Sequence, residues 1–236
     1  MRSAMHRLAW ARVLALGALL VGCASRDKDG PVSGLSADQA DELNAQRSQF
    51  ETGDDPPMSA ATHHAAGRLA ESQGAFSTAV AHYEAALKLE HRHLPSLYRL
   101  GVVLTQARRY ADAIEAWRRY GDAAGDDPAG RNNLAFCYDM AGLNQLAEMT
   151  WQRAIERHPA DAACRVNYGL YLARQGRTQA AMELWKGVLT AAQMHYNLGA
   201  IHEMQGRKEQ AQAEYRESLR LDPRLAGPRE ALSRVQ

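Results

Sequence analysis

Apolar residues recur along most of this chain with the period of an α-helix, in short runs that stop and restart. The stretch Pro128 to Asp161 shows the unit. Leu134, Ala135 and Tyr138 share one face of a first predicted helix, and Ala147, Trp151 and Ala154 share one face of a second. Gly142 stands between the two, and Pro159 closes the pair. The flanking stretches repeat the order. Leu94–Asp127 carries Leu97, Leu100, Gly101, Leu104, Tyr110, Ala113 and Trp117. The stretch from Ala162 carries Tyr168, Gly169, Leu172, Gly176, Ala181 and Trp185. Ala192–Leu225 carries Leu198, Gly199, Gly206, Ala211, Tyr215 and Pro223, and Ala60–His93 carries Gly67, Gly74, Phe76, Ala79, Tyr83 and Ala86. The period is 34 residues.

That order and period resemble the tetratricopeptide repeat, a helix-turn-helix unit with bulky, Gly, aromatic, Ala and Pro positions at fixed offsets. The resemblance implies an all-α, right-handed superhelical solenoid of about five repeats. They fall at 60–93, 94–127, 128–161, 162–191 and 192–225, with a C-terminal capping helix over 226–236. The physics supports the pattern. Gly101, Gly169 and Gly199, with Ala79, Ala113, Ala147, Ala181 and Ala211, allow close helix approach, and the aromatics are expected to fill the gap between a unit and its neighbour. Each unit leaves a face unburied, so stability comes from stacking. Ala231, Leu232 and Val235 are the expected buried side of the cap.

Three departures from the period stand out. The first unit has His63, Ala66 and Ala70 where bulky residues are usual, as befits an end repeat. Gly121 and Gly125 close the second unit, and two glycines near a helix end predict a frayed turn and a hinge. The fourth unit is short: Tyr168-Gly169 and Leu198-Gly199 lie 30 apart, not 34. The missing turn is expected within Thr190–Gln193, with a shortened second helix before it.

The N-terminus follows another logic. Arg2, Arg7 and Arg12 precede an apolar run, Val13 to Gly22, too short to span a bilayer comfortably, and Leu20-Val21-Gly22-Cys23 ends it. This resembles a bacterial lipoprotein signal. The resemblance implies removal of 1–22 and lipidation of Cys23. It places the protein at the bacterial cell envelope, and Ala24 favours the outer membrane facing the periplasm if the host is Gram-negative. Residues 23–59 read as a tether with one short helix around Leu43. Ser36-Ala37-Asp38-Gln39 is a capping-box pattern at its start, and Gly53–Pro57 ends it. As a flexible coil the tether would reach roughly 35 Å.

Composition narrows the function. The formal charge is +1 over 236 residues. Loss of three arginines with the signal leaves 25 basic against 27 acidic residues, about −2. Neither value suggests nucleic acid as a partner. Three cysteines give no disulfide framework. Cys137 and Cys164, offset by about two helical turns, read as separate buried thiols. His202-Glu203-Met204-Gln205-Gly206 starts like a zinc-protease motif, but Gly206 stands where the second histidine must be. His195 and His202 occupy bulky positions of one helix face and read as packing. No residue set suggests an enzyme, a metal or a cofactor.

The first helices of tetratricopeptide arrays line a concave groove. By that resemblance the groove here presents Tyr98, Val102, Thr105 and Gln106; Asn132, Phe136, Asp139 and Met140; Val166, Leu170 and Arg174; and Gln193, Tyr196, Glu203 and Met204. This mixture suits an extended peptide or short helix from a partner protein. Asn133, Asn167 and Asn197 recur at one offset and resemble the asparagine track of some superhelical members, whose amides both donate to and accept from a backbone. Asparagine also serves structure at that offset. The lysine and arginine clamp of chaperone-binding members has no match in the central units. The overall plan is similar to Tad-type and type IV pilus assembly lipoproteins. It implies a non-catalytic scaffold, with cell-wall assembly or presentation of substrate to an envelope enzyme as rivals. The sequence leaves the oligomeric state open.

Overall fold

The computed structural model describes residues 57–235. The signal, Cys23 and almost all of the tether lie outside the described residues. From Ala60 onward the chain forms eleven helices and no strand among the described residues. The helices are α1 (Ala60–Ser72), α2 (Phe76–Leu89), α3 (Leu94–Gln106), α4 (Tyr110–Ala124), α5 (Pro128–Met140) and α6 (Asn144–Arg157). They continue with α7 (Ala162–Arg174), α8 (Thr178–Trp185), α9 (Ala191–Met204), α10 (Lys208–Leu221) and α11 (Ala226–Val235). Consecutive pairs form five helix-turn-helix units, and α11 covers the last. The architecture is a tetratricopeptide-type superhelical solenoid.

Local chemistry sets the helix starts. The side chains of Ser59, Asp127, Asp161 and Thr190 accept from the backbone N–H groups of Thr62, Gly130, Cys164 and Gln193, which otherwise lack an intrahelical partner. Thr190 and Gln193 complete a capping box. Inside a unit the turn between helices needs a left-handed residue. Gly142 supplies it at φ +78°, and in the second unit Arg108 takes the same place at φ 58°.

The core is continuous along the stack. One cluster joins the first two units and ends on Cys137, a second runs from Ala135 to Ile201, and a third joins Ala211 and Tyr215 to Ala231 and Val235 of α11. The small residues of the second helices, Ala79, Ala113, Ala147, Ala181 and Ala211, are all fully buried. The large rings pack on the first helix of their own units, and Trp151 also reaches the next unit, 6.0 Å from the Tyr168 ring and 5.3 Å from the Tyr171 ring, as expected of a gap filler. Tyr83, Trp117, Trp185 and Tyr215 lie flat on Gly67, Gly101, Gly169 and Gly199, so close that a Cβ at any of these glycines would fall inside 3.0 Å of the ring. At these four positions glycine lets the ring reach the opposite backbone.

One expectation is corrected and one holds. The end of the second unit is not frayed. Helix α4 runs through Gly121 to Ala124 and caps at Gly125 with φ +76°. The linker after it is tied from several sides. Arg92 donates to the carbonyls of Asp122 and Ala123 at 3.2 and 3.3 Å, and Asp126 pairs with Arg131 at 2.6 Å and Arg157 at 3.0 Å. Those charges outweigh the propensity cost of glycine. The fourth unit has the shortened second helix expected of it, since α8 is only eight residues long and the turn is lost at its end, before Thr190. The chain then crosses tightly through 186–190, so Thr190 is already the cap of α9. No helix continues through 180–204.

Candidate functional site

The first helices bring the expected groove residues into distinct local environments. Tyr98 is half-buried, edge-on to Trp117 at 5.3 Å and to Tyr120 at 5.6 Å between ring centres. Val102, Phe136, Val166 and Leu170 are half-buried against the core, with Phe136 touching both central clusters. Met140, Asn133, Asn197, Glu203 and Met204 are half-buried, while Gln106 and Gln193 are exposed. Tyr196 packs on Tyr215 at 5.9 Å. Thr105 is occupied within the fold, since its hydroxyl donates to the Gly101 carbonyl and accepts from Trp117 Nε1 at 3.1 Å.

Asn132 departs from its expected exposure. It is 7% exposed, and its Oδ1 accepts from Trp151 Nε1 at 3.0 Å and from Asn167 Nδ2 at 3.1 Å. A buried acceptor with two donors is a structural cross-link between the third and fourth units. It removes Asn132 from the ligand-facing set and engages Asn167, so Asn133 and Asn197 are the rest of the asparagine track. Arg174 is likewise committed to an ion pair with Asp139 of the preceding unit. Burial raises the Asp139 pKa despite the arginine, and burial lowers that of Arg174. Desolvation outweighs attraction for both partners, as is common for ion pairs taken out of water.

This pairing recurs, and the apolar pattern alone does not show it. Glu71, Asp139 and Glu203 stand at one offset in the first, third and fifth units, and each meets an arginine from the following unit or cap: Arg99, Arg174 and Arg234. Tyr83 and Tyr215 donate to Glu71 and Glu203 at 2.9 and 2.6 Å. Burial, then the Glu71 bond, pushes the Tyr83 hydroxyl up to about 12, and the same causes raise Tyr215. A sequence signal for the pairing exists, because three carboxylates recur at a single register.

The remaining candidates behave as structure. His195 Nδ1 lies 2.7 Å from Glu214 Oε2. His202 has a buried Nδ1 with no hydrogen-bond partner among the described residues, and burial, then Arg207, lowers its pKa. Cys137 and Cys164 are free, buried thiols. Burial pushes them up to about 11 and about 12, the Asp161 carboxylate adding to the shift of Cys164. No group of three or more His, Cys, Asp or Glu that could hold a metal ion occurs among the described residues.

Paired helices with a buried alanine in every unit, and a ring seated on glycine in four of the five, define an α-solenoid of helix-turn-helix repeats. A tetratricopeptide repeat model matches residues 64–128 and 141–193, and a second matches 192–225. The chain belongs to the tetratricopeptide repeat family. No curated protein matches it. Among solved structures it is similar to MamA, at 20% identity and TM-score 0.57 over 70% of this chain and 92% of that one. It is similar to YrrB, described as a TPR protein with an unusual peptide-binding site, at 20% identity and TM-score 0.53 over 80% and 97%. It is also similar to TTC0263, a thermophilic TPR protein of Thermus thermophilus, at 18% identity and TM-score 0.55 over 75% and 98%. At such identities the likeness concerns the fold. Proteins of this repeat family generally act as non-catalytic scaffolds for protein–protein interaction.

Proposed function

We propose that the protein is a lipid-anchored scaffold of the bacterial cell envelope, which holds an extended segment of a partner protein in the groove lined by its first helices. The observation that carries the groove is a run of half-buried apolar and amide side chains on successive first helices: Val102, Asn133, Phe136, Met140, Leu170, Tyr196, Asn197 and Met204. Such surfaces give adaptable apolar contact together with backbone-directed hydrogen bonds. The anchor rests on the lipobox ending at Cys23. Pilus or secretion-system assembly is the process we favour, on the similarity of overall plan to pilus assembly lipoproteins. A cell-wall assembly scaffold, or a subunit that presents substrate to an envelope enzyme, is the alternative.

The test has two parts. Cys23→Ser should move the protein from the membrane to the soluble fraction of its host; retention in the membrane would overturn the anchor. Cross-linking of the anchored protein, followed by mass spectrometry, should return one dominant envelope partner. Asn133→Ala with Asn197→Ala should then weaken that partner's binding in calorimetry without loss of helicity. Unchanged binding would overturn the groove assignment.

A further inference from the structure

A regular apolar filler follows the ring of the second helix. Four residues beyond that ring stand Leu87, Ile155 and Leu219 on the helix itself, and Leu189 just past the end of α8. Leu87 is 3% exposed, and Ile155 and Leu189 pack on the central core. The second unit alone has glycine at this register. A Cβ on Gly121 would meet no atom within 4 Å. Where that side chain is missing, a cavity of about 340 Å³ opens between α4 and α6, walled by Trp117, Leu134, Tyr138, Leu146 and Met149.

Two further observations say what the cleft takes. Its outer lip is apolar and open to solvent. Leu146 and Met149, three apart on α6, are 45% and 46% exposed, an arrangement that marks interaction surface rather than core. Its lining is also cationic. Arg118 and Arg153 line the cleft, are exposed, and form no ion pair among the described residues. Arg131 is engaged by Asp126, and Asp122 is the one carboxylate in the lining. The trough follows α4 from Trp117 to Gly125, about 12 Å at the helical rise. That is the length of two turns of a docked helix.

We propose that this cleft is a second docking site, which takes the apolar face of an acidic amphipathic helix from a partner protein. An apolar side chain of the partner fills the place left by Gly121, others lie along Leu146 and Met149, and carboxylates flanking that face meet Arg118 and Arg153. This is helix-in-groove recognition, read through anchors spaced three, four and seven apart. A basic segment would meet two unpaired guanidinium groups. No strand among the described residues offers an edge for an extended segment at this place.

The test uses the full chain and a fluorescein-labelled synthetic helix with leucines at that spacing flanked by glutamates, beside a twin in which every glutamate is lysine. Fluorescence anisotropy should show the acidic helix binding and the lysine twin failing. Gly121→Leu fills the cleft with the residue type found at the other registers, and Arg118→Glu with Arg153→Glu reverses its charge on exposed positions. Each should weaken the acidic helix by about tenfold or more, while circular dichroism shows the fold retained. Failure of the acidic helix to bind the unaltered protein overturns the proposal. So does binding that survives Gly121→Leu, even if charge reversal abolishes it, because charge alone would then hold the helix. A helix that stays bound to both variants lies elsewhere, and leaves the groove of the first helices untouched as a separate question.

Discussion

Gly169→Ala isolates the contact on which four of the five units are built. The new Cβ would stand 2.8 Å from the Cδ1 and Cε2 atoms of Trp185, a fully buried ring that cannot swing into solvent. Overpacking of this kind costs about 1–3 kcal/mol. The displaced ring also loses its Nε1 hydrogen bond to the Val166 carbonyl, now 3.1 Å, and an unsatisfied buried donor costs about 1–3 kcal/mol more. Against this, alanine is favoured over glycine inside a helix by about 1 kcal/mol. The net expectation is destabilisation by about 3 kcal/mol. The third unit already carries a Cβ at this register, at Ala135. There Trp151 is held by the movable side chain of Asn132, whereas Trp185 is held by a backbone carbonyl. Gly121→Ala supplies the opposite sign, since its Cβ meets open space and only the gain of about 1 kcal/mol remains. Urea denaturation followed by circular dichroism measures both. If Gly169→Ala falls within about 0.5 kcal/mol of the unaltered protein, the ring-on-glycine account is refuted.

Three further outcomes are expected. Asp139→Leu and Arg174→Met should each destabilise more than the double substitution does, because either single change leaves a buried charge alone; additive effects in a double-mutant cycle would contradict that. Stability should fall with acid. Burial, then His93 and the Arg68 and Arg99 charges, hold the His64 pKa below its ordinary value, and burial, then Arg207, does the same at His202. The unfolded chain thus binds protons first, and stability is lost as pH falls through the unfolded value of about 6.5, reaching its full loss below the folded values. Urea midpoints equal at pH 7.5 and pH 5 would count against both shifts. Finally, Cys137 and Cys164 should resist maleimide at mildly alkaline pH until the fold is denatured, because little thiolate forms; rapid labelling of the native protein would place them nearer solvent.

The repeating unit was legible because its determinants are short-range and periodic. Glycine, alanine and an aromatic at fixed spacing dictate how two adjacent helices meet, and the 30-residue interval before Leu198-Gly199 exposed the shortened unit. Less could be read where the deciding partner lies a whole repeat away. The two glycines after Tyr120 suggested fraying, but Arg92 and Arg157 reach the junction from 30 and 31 residues off. Asn132 stands at a groove register, yet its amide turns inward because the Trp151 indole presents its N–H to it, and a helical wheel does not show which way an indole faces. The same interval foretells the short α8 and the tight connection after it. The reciprocal cap of Thr190 and Gln193, which fixes where α9 starts, is the part the interval does not show.

The three carboxylate–arginine pairs all run in one direction along the chain. Glu71, Asp139 and Glu203 each wait for an arginine that is encoded later, at Arg99, Arg174 and Arg234. During synthesis every such carboxylate therefore leaves the ribosome before the cation that neutralises it, and a unit reaches its final strength only when its successor arrives. Loss of the C-terminal helix would leave Glu203 with the Tyr215 hydroxyl alone and would uncover Ala211 and Tyr215 of the last unit. The array thus carries a partial check from its far end: a chain that ends between Glu71 and Arg99, Asp139 and Arg174, or Glu203 and Arg234 leaves an acid without its base.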